Sequence, residues 1–169
     1  MDSGNRVYAR VDLDIIENNM NIMHRLMKPG GLMYAVVKAD AYGHGANEVS
    51  HRLEPLSYVR GFCVATLEEG IALRRAGIKK PILILGYSFP SQYEDLLGYD
   101  ITSGLFRDDN IEALNEAAGK LGRKAKVHIK VDTGMGRIGI TPDEKGLEFI
   151  RKVSLAPNIE IEGIFRSEE

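Results

Sequence analysis

Six times along this chain a short, mostly apolar run appears, and all but the last hand over to an amphipathic stretch with helix-start signals. The runs are "LMYAVV" (32–37), "GFCVA" (61–65), "PILIL" (81–85), the weaker "YDITSG" (99–104), "KVHIKVD" (126–132) and "IEIEGIF" (159–165). Unbroken apolar runs of this length suit strands covered on both faces, as in parallel sheets. Their spacing of roughly 20 to 30 residues leaves room for one crossover helix each, which is the βα unit. The chain is therefore expected to be α/β, with a parallel sheet.

The intervening segments carry their own punctuation. Ile16, Met20, Met23 and Met27 recur at helical steps, and Pro29-Gly30-Gly31 must end that helix. Thr66 with Glu69, and Ser91 with Glu94, read as capping boxes, the first opening a helix that closes near Gly77. Asp108 or Asp109 is placed to cap a helix with Ile111, Leu114, Ala118 and Leu121 on one face. Thr141-Pro142-Asp143-Glu144 supplies an N-cap, a proline at the first helical position and a carboxylate at the third.

A doubly wound sheet and a (β/α)8 barrel both begin this way. His128, Lys130 and Asp132 share one face of their strand, and polar groups of that kind line barrel interiors near the C-terminal mouth. The reading is thus a parallel (β/α)8 TIM-type barrel, incomplete at about six strands, over residues 14–169. The opening "RVYARVDL" alternates apolar and polar residues like a half-exposed strand, yet nothing evident in the chain pairs with it.

With 169 residues, 44% of them hydrophobic, the chain can bury a sizeable core. Its 22 basic against 24 acidic residues leave a net charge of −2, with no electrostatic footprint for nucleic acid or an anionic membrane, so small-molecule chemistry is favoured. Cys63 is the only cysteine, which excludes an intrachain disulfide and fits a reducing cytoplasm. Neither an apolar signal core nor a bilayer-length run is present, so a soluble protein is expected.

One residue asks for chemistry. Lys38 closes the run "LMYAVV", at the strand end where α/β folds present reactive groups. Most strand-end lysines simply extend into water. A desolvated lysine is instead a nucleophile toward carbonyls, pyridoxal phosphate among them. The turn that follows supports the second reading. Tyr42 offers a hydroxyl to a phosphate, and Gly43 and Gly45, flanking His44, would let backbone N–H groups approach an anion.

"AVVKADAYGHGA" resembles the cofactor-lysine signature of the alanine racemase family, pyridoxal-phosphate enzymes whose larger domain is a (β/α)8 barrel. "PILILG" is similar to the family's third barrel strand, and "VHIKVDTGMGRIGI" to its fifth strand and loop. "RVYARVDLDIIENNM" resembles the N-terminal segment whose strand joins a separate C-terminal β-domain, which assigns residues 1–13 to such a domain. By this resemblance Lys38 would hold the cofactor covalently and act as one of two acid–base groups. Tyr42 would contact the phosphate, and Leu85 would be the apolar residue near the cofactor. Arg137 would contact the substrate carboxylate and the cofactor's phenolic oxygen. Lys130 matches a lysine that is carbamylated in part of the family; the residues themselves suggest instead an interior lysine paired with Asp132. No metal site is implied.

The resemblance further implies L-alanine/D-alanine interconversion for peptidoglycan synthesis, in a bacterial cytoplasmic homodimer whose second acid–base group is a partner-subunit tyrosine. Where the family continues with threonine and histidine, this sequence reads Arg166-Ser167-Glu168-Glu169. The expectation is therefore a truncated racemase that binds the cofactor weakly and is inactive alone. Alternatives are a racemase of broader specificity acting on serine or lysine, a non-catalytic pyridoxal-phosphate carrier, and a purely structural half-barrel.

Overall fold

A computed structural model describes residues 7–167. Six strands form one sheet in sequence order: β1 (Met33–Val36), β2 (Val59–Val64), β3 (Ile82–Ile84), β4 (Thr102–Leu105), β5 (Ala125–Val131) and β6 (Ile159–Arg166). Every adjacent pair is parallel, with registers such as Val36 to Cys63, Leu83 to Thr102 and His128 to Gly163. Strands joined in order by crossovers, with no reversal of direction, form five βα units and a sixth strand of a barrel wall.

The helix α1 (Leu13–Leu26) precedes β1; α3 (Ala46–Leu53), α4 (Leu67–Arg75), α5 (Tyr93–Gly98), α6 (Asp109–Lys120) and α7 (Glu144–Leu155) occupy the crossovers, while α2 (Lys38–Gly43) is a single turn after β1. Alternation along the strands sends Phe62, Val64, Ile82, Ile84, Val127 and Ile129 into a layer with Leu53, Leu73, Leu96, Leu114, Ala118 and Val153, all essentially sealed from water. Full burial of such side chains is worth roughly 1.5–3 kcal/mol each, so this layer holds the sheet in shape.

The opposite strand face carries Tyr34, Gly61, Cys63, Leu83, Thr102, Gly104 and His128. Tyr34 of β1 and His128 of β5 meet edge to face, and Thr102 Oγ1 of β4 donates to Glu162 of β6 across the strand between them. Burial raises the Cys63 thiol to about 12, so it is an inert packing group.

Residues 7–12 are exposed and pair with none of the six strands, and residues 1–6 of the expected N-terminal strand lie outside the described residues. Several other local expectations are corrected. The Ser91/Glu94 box is absent: Gln92 Oε1 accepts from the Phe89 N–H around a 3-10 turn at Pro90–Gln92, because Pro90 starts the turn a residue early. Asp108 stands at the N-cap of α6 as expected but makes no side-chain capping bond, since its carboxylate pairs with Lys152 and that of Asp109 with Arg107. Leu121, placed on the buried face, is 44% exposed because α6 has ended at Lys120. The cap of α7 is Asp143, accepting from Gly146 N–H, two residues beyond Thr141. Among the described residues no helix is long and apolar enough to cross a membrane.

Candidate active site

The C-terminal ends of the strands converge on one rim, and the candidate residues stand there. Val37 N–H still donates to Cys63 C=O at 2.9 Å, so Lys38 is the first residue past the β1–β2 ladder. By the two-residue period it follows Tyr34 and Val36 onto the interior face. Lys38 is half-buried, and among the described residues no carboxylate pairs with it. Its Nζ lies 5.9 Å from the Tyr42 ring centroid, so the amine stands beside that ring.

What connects them is unusual. Ala39, Asp40, Ala41 and Tyr42 all have φ between 52 and 56°, a full left-handed turn without a glycine in it. Left-handed geometry costs roughly 1–2 kcal/mol for each non-glycine residue, so the surroundings must hold it. Ala41 N–H donates to Val37 C=O at 2.8 Å, and Gly45 N–H donates to Asp40 C=O at 3.0 Å. Asp40 Oδ1 accepts from Ala46 N–H at 2.7 Å, and the His44 ring Nδ1 lies 2.8 Å from Ala41 C=O. The backbone N–H groups of His44 and Gly45 are thus spent on the turn itself. Two amides of the expected glycine-framed anion cradle are therefore occupied, while the Tyr42 side chain of the same loop is largely exposed.

Glu69 was visible in the sequence only as a helix cap. Half of the capping box forms, with Glu69 N–H reaching Thr66 Oγ1 at 3.4 Å. Its carboxylate turns away from the helix. Oε1 accepts from Ala39 N–H at 2.8 Å, and Oε2 from Ala65 N–H at 2.7 Å, so one side chain ties the ends of β1 and β2 together.

Leu85 follows β3 directly, with its N–H on Val64 C=O at 2.8 Å, and is half-buried on the same rim. Arg137, exposed, rides on the loop after β5. That loop is closed at its base: Ile140 N–H donates to Lys130 C=O and Asp132 N–H to Ile140 C=O. Inside it, Asp132 Oδ1 accepts from Gly134 and Gly136 N–H, both at 3.0 Å, and these bonds hold its carboxyl below the usual range. Gly139, at φ 133°, has the Asp132 amide where a Cβ would stand, which explains why glycine is needed.

Lys130 is only 3% exposed. The expected ion pair with Asp132 does not form, because Asp132 is committed to its own loop; Lys130 Nζ instead donates to Val131 C=O at 3.0 Å and lies 5.4 Å from the Phe165 ring centroid. Burial holds its amine below the ordinary lysine range. Asp132 opposes that shift, and the Arg137 and Arg166 charges add to it.

Comparison with known proteins identifies the family to which the fold belongs. Residues 11–166 match the family model described as "Alanine racemase, N-terminal domain". The chain is 43% identical over 156 residues to alanine racemase of Geobacter sulfurreducens, covering 92% of this chain and 40% of that protein. It is 45% identical over 159 residues to alanine racemase of Clostridium tetani, covering 94% and 41%. The solved alanine racemase of Clostridium difficile 630 in complex with cycloserine superposes with a TM-score of 0.91 at 39% identity, covering 94% of this chain and 43% of that one. A histidine racemase from Leuconostoc mesenteroides superposes with a TM-score of 0.86 at 25% identity, with 94% and 42% covered. The chain spans about two fifths of the length of the curated relatives it matches. By sequence and by fold, it belongs to the alanine racemase N-terminal domain family.

Proposed function

We propose that this chain supplies the lysine-bearing part of a pyridoxal-phosphate-dependent alanine racemase. One observation carries the reading: an amine with no carboxylate partner among the described residues stands on the rim of a curled parallel sheet, beside the ring of Tyr42 on a left-handed turn. The residues fit the cofactor. Lys38 Nζ is available to bond an aldehyde carbon, Tyr42 presents an O–H donor for phosphate, Leu85 adds an apolar wall, and Arg137 adds a positive charge for an acidic oxygen. When bound, the cofactor's conjugated ring provides a sink for the electron pair left when the substrate's α-proton departs.

The remaining work falls to the protein. Lys38 Nζ would serve as the base that takes the substrate's α-proton on its own face and, in the reverse direction, as the acid that delivers one there. Arg137 grips the substrate carboxylate through paired N–H donors and so fixes which face of the α-carbon meets Lys38. Lys130, disfavoured as a cation by burial, is suited to reaction of its neutral amine with carbon dioxide, which would make it an anion able to orient Arg137. Racemisation also needs an acid–base group on the opposite face, which we assign to a tyrosine of a partner subunit's C-terminal β-domain. Residues 1–13 would belong with that domain and residues 14–169 with the barrel, in a cytoplasmic homodimer making D-alanine for peptidoglycan. The chain by itself would bind the cofactor weakly and not racemise alanine.

The central assignment is tested by incubating the chain with pyridoxal phosphate, reducing with borohydride and mapping the labelled peptide. Label at Lys38 that disappears in Lys38→Ala is the expected result; label elsewhere refutes it. Supplying the chain with D- and L-amino acids distinguishes the rest: turnover of alanine by the chain alone would contradict the proposed inactivity.

A further inference from the structure

We infer that Glu69 is a positioning residue for Lys38, an inference that rests on the reading of Lys38 as the cofactor lysine. The amide N–H that Glu69 Oε1 accepts at 2.8 Å belongs to Ala39, so the peptide plane being held is the one leaving Lys38. Fixing that plane restricts ψ of Lys38, and with it the direction in which the lysine stem leaves the rim. The same N–H is the first of the left-handed turn, and like the first donors of any helical turn it has no acceptor within it. Glu69 supplies that acceptor from outside. Its other oxygen holds Ala65 N–H at 2.7 Å, just past the end of β2, so the carboxylate is a strut between two neighbouring strand ends. Its own backbone is anchored by Thr66 Oγ1 on the first turn of α4.

The chemistry requires a carboxylate. Two N–H donors converge on two oxygens of one group, and charge-assisted bonds of this length are the stronger kind. A glutamine of the same shape would aim an NH2 donor at one of those N–H groups and lose that bond. Aspartate, one methylene shorter, cannot span both.

The test uses the full chain in four forms: wild type, Glu69→Gln, Glu69→Ala and Glu68→Gln, the last a charge-matched control on the exposed neighbour. Hydrogen exchange at the Ala39 and Ala65 amides is followed by NMR without cofactor, and borohydride trapping of pyridoxal phosphate at Lys38 is followed as a function of pH. Glu69→Gln is expected to speed exchange at Ala39 and through Tyr42 by about tenfold or more, the loss of one charge-assisted bond. It is also expected to lower trapping at Lys38 and to move its pH midpoint, while Glu68→Gln does neither. Glu69→Gln preserves volume, so the result stands even if Glu69→Ala does not fold. Equal exchange and equal Lys38 labelling in wild type and Glu69→Gln would overturn the role of Glu69 alone. Wild-type label at another lysine overturns the role of Lys38, and the positioning of the cofactor with it.

Discussion

The Tyr34 and His128 rings, on the first and fifth strands of the sheet, meet edge to face with centroids 6.1 Å apart and planes at 84°. Rings on strands three places removed from adjacency can touch only if the sheet curls back on itself, so this contact measures the curvature of the barrel wall. Phe165 closes on the other side of His128 at 6.3 Å, and a Cβ on Gly163 would strike the imidazole.

That enclosure makes a pH prediction. Burial holds the His128 imidazole below the ordinary histidine range, with Glu162 pulling it up and Arg60 pushing it down. The folded state therefore binds the proton less readily than the unfolded chain. Stability is full above the unfolded pKa of about 6.5 and falls as pH drops from there toward the folded value. Urea midpoints measured across this window should decline for wild type and decline less steeply for His128→Phe; equal slopes would show that the ring titrates as if free.

Lys130 hides a cation whose nearest acceptor is a single carbonyl, an arrangement that well-packed apolar residues commonly match or improve. Lys130→Met should leave the melting temperature unchanged or raise it by a few degrees. Separately, 13C-bicarbonate should give a carbamate resonance in wild type that is missing from the variant. A Lys130→Met protein that unfolds several degrees earlier would indicate that the buried amine stabilises this fold.

Gly139→Ala should loosen the loop that carries Arg137. The added methyl would sit 2.5 Å from the Asp132 amide nitrogen in a backbone conformation that L-residues avoid. A loss of about 1–3 kcal/mol is expected, with the Gly134 and Gly136 amides exchanging faster as their bonds to Asp132 fail. NMR exchange with urea titration reads both effects.

At the opposite end of the barrel, Arg74 donates to four carbonyls, those of Ile78, Lys80, Tyr99 and Asp100, at 2.7 to 3.0 Å. One guanidinium thus staples the loops entering β3 and β4. Arg74→Ala should cost about 2–4 kcal/mol, and Arg74→Lys should recover only part of it, because an ammonium lacks the planar fork that reaches four acceptors. Lys38 trapping should be retained in both, since the staple lies away from the rim.

Which parts of this were legible before the structure follows from the range of the interactions involved. The strands were readable because burial on both faces writes an unbroken apolar run, and Ile82–Ile84 within "PILIL" is the plainest case. Helix starts were less reliable, since Asp108 and Asp109 look like caps until Lys152 and Arg107, one of them 44 residues away, claim their carboxylates. The positions of Lys38, Leu85 and Lys130 on one rim follow from strand ends and period alone. The left-handed run from Ala39 to Tyr42 does not: alanine and tyrosine carry no local preference for it, a single aspartate is too little to write four such residues, and contacts from Glu69 and the following residues impose it. Glu69 reads locally as part of a helix cap because the amide its carboxylate accepts from, that of Ala39, lies 30 residues earlier in the chain.

The left-handed turn behaves as the opposite of a hinge. Bolted at both ends, at Val37 and at Ala46, it gives Lys38 no main-chain swing, so whatever distance the ammonium travels must be covered by its own methylene stem. Reach along that short tether, and not any opening of the loop, then decides which atoms the nitrogen can serve in turn.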